Sequence, residues 1–371
     1  MPFYNDLRPQ ADYENRDYAL VFPDMTAIDK RRTIFNLLRL KEGLASDIPA
    51  RKVEDNLLVA SWNIKEFGHT SQRLYESYFY IAEVISRFDL IAVQEVKSTL
   101  KDLGIIMRIL GSDWDYLIND ITDGVDGNSE RSAYLFNKKR VRLSGLAGEI
   151  TLWSELTENS DIKQLKRTPY MTGFKSGWKS FAIISFHLHP GDDDEDAAYR
   201  EKEVALILGA LKKKEEGLWT KNLILAGDFN LYDSDGETVA LFSDAGYTEV
   251  GGLLGKDTNV SETEAYDRLF VRKNSYFSIA KDDQGSEIGD VFKPFKYVFR
   301  EDEHVQYKDF MLAVYGGSKD LNTDASALEG YFNRYWKRNQ ISDHNPIWFE
   351  ISIDSSVKFL KSKIEAFDAS A

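Results

Sequence analysis

The chain reads as an α/β protein built in layers, and three observations predict this. Short apolar stretches of strand length alternate with amphipathic stretches of helix length from Leu57 onward. The 371 residues are 43% hydrophobic, 13% aromatic and 29% charged, a globular mixture that excludes a disordered or fibrous chain. Polar residues also interrupt the apolar stretches at corresponding places, as expected where a rigid sheet aims side chains at a ligand.

Residues 1–55 are rich in Asp, Arg and Tyr and read as an N-terminal extension. Ile28, Ile34, Leu37, Leu38 and Leu40 give it one helical stripe, from about Ala27 to Gly43. The first strand is Leu57–Asn63. Tyr75–Arg87 follows as a helix, with Tyr78, Ile81, Ala82 and Ile85 on one face. Asp89–Glu95, Ala133–Phe136 and Phe181–His187 read as further strands. A helix from about Ala197 to Lys214 leads to the strand Asn222–Asp228, and Arg268–Val271 and Pro346–Ile351 are the last strands. Residues 273–340 lack strand rhythm and read as an insertion in a body spanning 56–354, with 355–371 as a tail.

There are 47 Lys and Arg against 61 Asp and Glu, a net charge of −14. That argues against a charge-driven nucleic-acid coat but leaves room for a local basic groove. With no cysteine, disulfides, thiolate nucleophiles and zinc ribbons are excluded, so any metal must be held by oxygen or imidazole. The start, Met1 to Asp6, has no basic and apolar leader, and no apolar run approaches the ~20 residues of a membrane helix. The expectation is a cytoplasmic protein with no membrane contact and no obligate protein partner.

The run Gly191–Asp196 precedes a helix, where carboxylates suit the positive end of the dipole; a metal-binding loop is the alternative. Tyr331–Arg338 mixes basic and aromatic residues. It could grip a nucleic-acid backbone, but aromatics four apart are also a helix packing face.

The interrupting residues are Asn63, Glu95, His187, Asp228 with Asn230, and Asp343 with His344. Each alone suits a turn or cap; in this order they carry more weight. Ser61-Trp62-Asn63-Ile64, Gln94-Glu95, Ser185-Phe186-His187, Gly227-Asp228-Phe229-Asn230, Tyr266-Asp267-Arg268 and Ser342-Asp343-His344 resemble the endonuclease/exonuclease/phosphatase superfamily. The strand ending in His and the Tyr-Asp-Arg are most similar to its deoxyribonuclease I branch. The resemblance spans about Leu57 to Ile353. It implies a four-layer α/β sandwich, two mixed β-sheets flanked by helices.

It also implies a metal-dependent phosphodiesterase that hydrolyses nucleic acid by in-line water attack on phosphorus, in this branch a DNA endonuclease. A lipid headgroup or small phosphate ester is the alternative substrate, and a binding module with a decayed site is a third reading. Such hydrolysis needs a cation on the phosphoryl oxygens, an aligned water, a base and a proton for the leaving oxygen. Glu95 is the best primary ligand for a hard divalent cation, Asn63 could add an amide oxygen directly or through water, and Asp343 could support the site, magnesium being the expected ion and manganese or calcium its substitutes. His187, Asp228, Asp267 and His344 are the catalytic candidates, with Asp267 holding His344. Asn230 and Arg167 are the phosphate contacts, although Arg167 reads equally as an ordinary surface arginine. The sequence departs from the branch at Ser132, where a glutamate supporting His187 is expected; Glu130 lies two residues upstream. His187 is thus expected to lack its partner unless the chain shifts locally. His189 carries no assigned role.

Overall fold

The computed structural model describes residues 2–9, 20–68, 72–121, 129–215, 217–218, 220–274 and 276–369. The first half contains α1 (Ala27–Asp47), β1 (Asn56–Phe67), α2 (Tyr75–Arg87), β2 (Leu90–Lys97), α3 (Lys101–Leu110), β3 (Trp114–Ile118), β4 (Glu130–Asn137), β5 (Arg142–Glu149), α4 (Ser154–Thr157), β6 (Tyr170–Ser176) and β7 (Lys179–His187). The second half contains α5 (Asp194–Glu215), β8 (Leu223–Asp228), α6 (Gly236–Asp244), β9 (Thr248–Glu249), β10 (Asp267–Val271), β11 (Gly289–Val291), α7 (Lys308–Leu312), α8 (Ala325–Tyr331), α9 (Lys337–Gln340), β12 (Ile347–Ser352) and α10 (Ser356–Asp368).

The strands form two six-stranded sheets, ordered β11-β12-β1-β2-β4-β3 and β5-β6-β7-β8-β10-β9. β1 pairs parallel with β2, and β7 with β8; the other pairings are antiparallel, so both sheets are mixed. Side-chain alternation places the layers. Leu57 and Val59 of β1 enter the core between the sheets with Phe174, Phe181 and Ile224. Leu58, Ala60 and Trp62 face the other way, into a core with Leu40 of α1, Phe79 of α2 and Ile106 of α3. Ala182, Ile184 and Phe186 of β7 pack on Val204 and Ile207 of α5. Helices, sheet, sheet and helices make a four-layer sandwich.

α1 belongs to the outer helical layer. Its Leu37, Leu40 and Leu44 are buried, and Arg39 reaches Glu303 at 2.6 Å. Residues 1 and 10–19 of the N-terminal stretch, and 370–371 of the tail, lie outside the described residues. The 273–340 segment supplies the edge strand β11 and a helical cover in which Phe332 and Trp336 are buried, their rings 5.6 Å apart. Of the two readings of Tyr331–Arg338, that places these two rings in the packing one. The 191–196 run starts α5, where Asp193 Oδ1 accepts the Asp196 amide at 2.8 Å.

Two strands run past the ends read from sequence, and each carries an irregularity at a candidate residue. Asn63 pairs with Gln94, but the next pair is Phe67 with Val96. Across the other edge of β2 the register shifts between Val93 and Val96. Asn63 and Glu95 therefore do not end their strands; they sit at bulges, which re-aim side chains. Glu66 (φ 44°) and Glu95 (φ 59°) take left-handed backbone there.

α5 buries a carboxyl, Glu203, whose Oε2 accepts the His189 amide at 3.0 Å. Burial pushes this acid from 4.5 up to about 7, against the His189 bond and the nearby Arg167 and Lys166. Because the folded-state value is raised, its contribution to stability is full below about pH 4.5 and is lost as pH rises through 7. Urea titrations should show Glu203→Gln gaining about 3 kcal/mol over the parent at pH 8 and nothing at pH 4.

Candidate active site

Most of the candidate residues line one polar cleft of about 700 Å³ where the two sheets adjoin; Asn63 and Asp267 are not among its lining residues and are tied to it through Asp228 and His344. Lys65, Glu95, Lys97, Glu130, Arg167, His187, Asp228, Asn230, Asp343 and His344 are among its lining residues. Seven non-glycine residues have positive φ among the described residues, and four of them line this cleft: Glu66, Glu95, Ser129 and Asn230. Backbone strain gathers where a site needs side chains aimed against local preference.

Asp228, the last residue of β8, is central. Its Oδ2 accepts Asn63 Nδ2 at 2.9 Å and stands 3.8 Å from His187 Nε2 and 3.7 Å from His344 Nε2. Its Oδ1 accepts the Asn230 amide at 3.0 Å, a tight turn that leaves Asn230 with φ 47°. Asn230 Nδ2 donates to Leu188 O at 3.0 Å, so one of its two amide protons is already engaged.

Each histidine is backed by a carboxylate from the opposite sheet. His344 Nδ1 lies 2.7 Å from Asp267 Oδ2, which also accepts Thr258 Oγ1 at 2.9 Å. The backbone of the His344 loop is pinned from β1. Ser342 Oγ donates to Asn63 O at 2.7 Å and accepts the Lys65 and His344 amides, each at 3.1 Å. Trp62 Nε1 donates to His344 O at 2.9 Å.

His187 Nδ1 lies 3.4 Å from Glu130 Oε2. The departure at Ser132 therefore does not leave this histidine alone. Residues 130 and 132 share one face of β4, because side chains alternate with a period of two. Ser132 Oγ meets Ser185 Oγ at 3.1 Å, and one pleat further along Glu130 meets His187. That parity was the available signal. Glu130 is also tied to Lys97 at 2.9 Å and to Arg167 Nε at 3.0 Å, so Arg167 is an anchored cleft residue and not a loose surface arginine. His189 is not among the cleft's lining residues; its Nε2 lies 2.7 Å from Asp196 Oδ1.

The two imidazoles are driven in opposite directions. Burial pushes His187 well below its usual value, and Arg167, His344 and Lys97 add to this, which favours the neutral ring. Burial opposes charge on His344 too, but Asp267 and Asp228 outweigh it and hold the ring well above its usual value, which favours the charged ring. Asp228 is pushed up to about 7 by burial, against the pull of His344.

Among the described residues, no group of three or more His, Cys, Asp or Glu side chains is disposed to hold a metal. The donor atoms nevertheless suit one hard cation. Asn63 Oδ1 is buried without a hydrogen-bond partner. Glu95, bonded to Asn63 Nδ2 at 3.1 Å and the Glu66 amide at 2.8 Å, is pushed up by burial and by Glu130. Such an under-compensated carboxylate beside a bare amide oxygen favours a cation. Asp343 differs, because Lys65 Nζ lies 3.0 Å from its Oδ2. Burial raises its value, but His344 and Lys65 prevail and lower it. Lys65 and Lys97 are cleft residues that the sequence reading did not single out.

The layered sandwich gathers polar groups of both sheets in one cleft. The chain is similar to human deoxyribonuclease-1 (26% identity over 183 residues, 47% of this chain and 61% of that protein) and to bovine deoxyribonuclease-1 (24% over 229 residues, 58% and 77%). It thus spans about three-fifths of the human relative's length. Among solved structures it is similar to an endonuclease/exonuclease/phosphatase family protein from Bacteroides thetaiotaomicron, at 17% identity, covering 81% of this chain and 99% of that one with a TM-score of 0.49. No family profile matches the chain. The resemblance is to the endonuclease/exonuclease/phosphatase superfamily, near its deoxyribonuclease I branch. No helix among the described residues is long and apolar enough to cross a membrane.

Proposed function

We propose that the chain is a magnesium-dependent phosphodiesterase that cuts nucleic acid, most like a DNA endonuclease. The observation that carries this reading is the bracket around Asp228, in which Nε2 of His187 at 3.8 Å and Nε2 of His344 at 3.7 Å face one carboxylate oxygen, the first ring pushed below its usual value by burial and the second held above it by Asp267 and Asp228. A neutral base and a cationic acid on either side of one point suit in-line hydrolysis, which takes a proton from water and gives one to the leaving oxygen.

In this reading His187, its Nδ1 proton directed at Glu130, presents Nε2 to the attacking water. His344, held by Asp267, donates from Nε2 to the phosphate and then to the departing oxygen. As the water oxygen bonds to phosphorus and the phosphorus–oxygen ester bond breaks, the water proton passes to His187. Asp228 orients the water, and Arg167 and Asn230 steady the phosphate. Glu95 and Asn63 would hold the metal; Asp343 is shared with Lys65 and would support it from further out. A bound divalent cation supplies charge neutralisation at the phosphoryl oxygens.

Supercoiled plasmid with magnesium tests the reading. The wild-type chain should nick it, and Glu95→Ala should not. An intact plasmid, or equal cutting by the variant, would refute it. The net charge of −14 favours a second reading, a small phosphate ester, because a duplex repels that field. Turnover that hardly changes with salt would support the small substrate.

A further inference from the structure

Behind the cleft, α5 carries an arginine that is wholly buried. The side chains of Arg200 and its partner Asp235 are both 0% exposed. The guanidinium divides its bonds between two loops. Nη1 donates to His189 O at 3.3 Å and to Gly191 O at 2.5 Å, in the loop that follows His187. Nη2 donates to Asp235 Oδ2 at 2.8 Å, in the loop that follows Asp228. The same oxygen accepts the Tyr232 amide at 2.8 Å, and the Tyr232 ring lies 5.1 Å from the guanidinium carbon. Glu203, one turn further along α5, takes the His189 amide.

Stability alone does not account for this arrangement. Asp235 is the N-cap of α6, where an aspartate ordinarily accepts an amide of its own helix; it accepts none and turns to Arg200. Arg200 Nε and Asp235 Oδ1 are both buried without a hydrogen-bond partner. Orphaned polar atoms are costly, and a buried ion pair contributes no more than apolar side chains of similar size would. What the pair supplies is a fixed distance between two backbones.

We propose that Arg200 is a positioning residue that locks the loop after His187 to the loop after Asp228, and so sets the 3.8 Å approach of His187 Nε2 to Asp228 Oδ2. The inference rests on the phosphodiesterase reading of those two side chains. They end β7 and β8, and their pairing is the last of that ladder. Beyond it the Leu188 amide reaches Asp228 O at 3.0 Å, and Asn230 Nδ2 reaches Leu188 O at 3.0 Å. Arg200 closes the ring from behind, two to seven residues further along each loop. The second loop also touches the other imidazole, because Tyr232 meets Tyr266 edge to face at 5.1 Å and the Tyr266 ring lies 6.0 Å from His344. A misplacement of about 1 Å in such a set costs on the order of 10²-fold in rate.

Hydrogen exchange on the parent and on Arg200→Met reads the lock without any substrate. The His189 and Tyr232 amides should exchange about tenfold faster in the variant, while the β1–β2 ladder keeps its parental rates. With supercoiled plasmid and magnesium, kcat should fall about 30-fold and KM stay within about threefold, since Arg167 keeps its own anchor on Glu130. Asp235→Asn, which keeps an oxygen for both donors, should retain about tenfold more activity than Asp235→Ala, which keeps none. If the methionine variant does not fold, Asp235→Ala serves for both measurements. Parental exchange at either amide, a loss carried by KM instead of kcat, or equal rates in the two Asp235 variants would each overturn the lock. A parent that leaves the plasmid intact would refute the phosphodiesterase reading, and the exchange rates would still decide the lock.

Discussion

Replacing His344 with alanine should lower turnover by about 10²- to 10⁴-fold, the range expected when a positioned acid is lost. The ring is held by Asp267 at 2.7 Å and presents Nε2 to Asp228. The pH profile separates a chemical role from a structural one. His187 must be neutral, and its value lies well below 6.5, so activity should fall only in acid. His344 must be protonated, and its value lies well above 6.5, so activity should persist through neutrality and fall in alkali. The parent should give a bell with a broad neutral plateau. The alanine variant should lose the alkaline limb, and added imidazole should restore part of the rate. An unchanged alkaline limb would remove His344 from the proton transfer.

Gly227→Ala should be the most damaging single methyl in the molecule, costing about 3 kcal/mol in urea unfolding and most of the activity. A Cβ there would stand 2.0 Å from Phe186 O, a backbone atom of the neighbouring parallel strand. Gly227 has φ +148°, which L side chains rarely adopt. Strand β8 would have to leave β7, and Asp228 is the next residue. An alanine variant with parental stability would mean that the Phe186–Gly227 pairing is looser than the ladder implies.

Elements with clean periodicity were legible in the sequence. α2 is found over Tyr75–Arg87, and the β7 and β8 stretches end at His187 and Asp228 as read. β5 and β6 carry no such pattern. β5 is mostly half-exposed and includes Gly145 and Gly148, and β6 mixes Thr, Gly and Lys among its apolar residues. The bulges at Asn63 and Glu95 were beyond reach, because a register shift is a property of two paired strands. Individual site residues could be proposed from strand ends. The pairing of Lys65 with Asp343, 278 positions apart, could not, because only the closed sandwich brings them together. Glu130 lay between these cases, since its face could be counted from Ser132 but its reach to His187 depended on the distance between sheets.

That distance bears on more than packing. Glu130 comes from the first sheet and His187 from the second; Asp267 comes from the second and His344 from the approach to the first. The Asn63–Asp228 bond crosses the same seam. Neither half of the molecule owns a complete histidine–carboxylate pair. Severed halves would each lack one member of both pairs, and a slip of one sheet along the other by a single pleat would part both at once while every helix stayed wound.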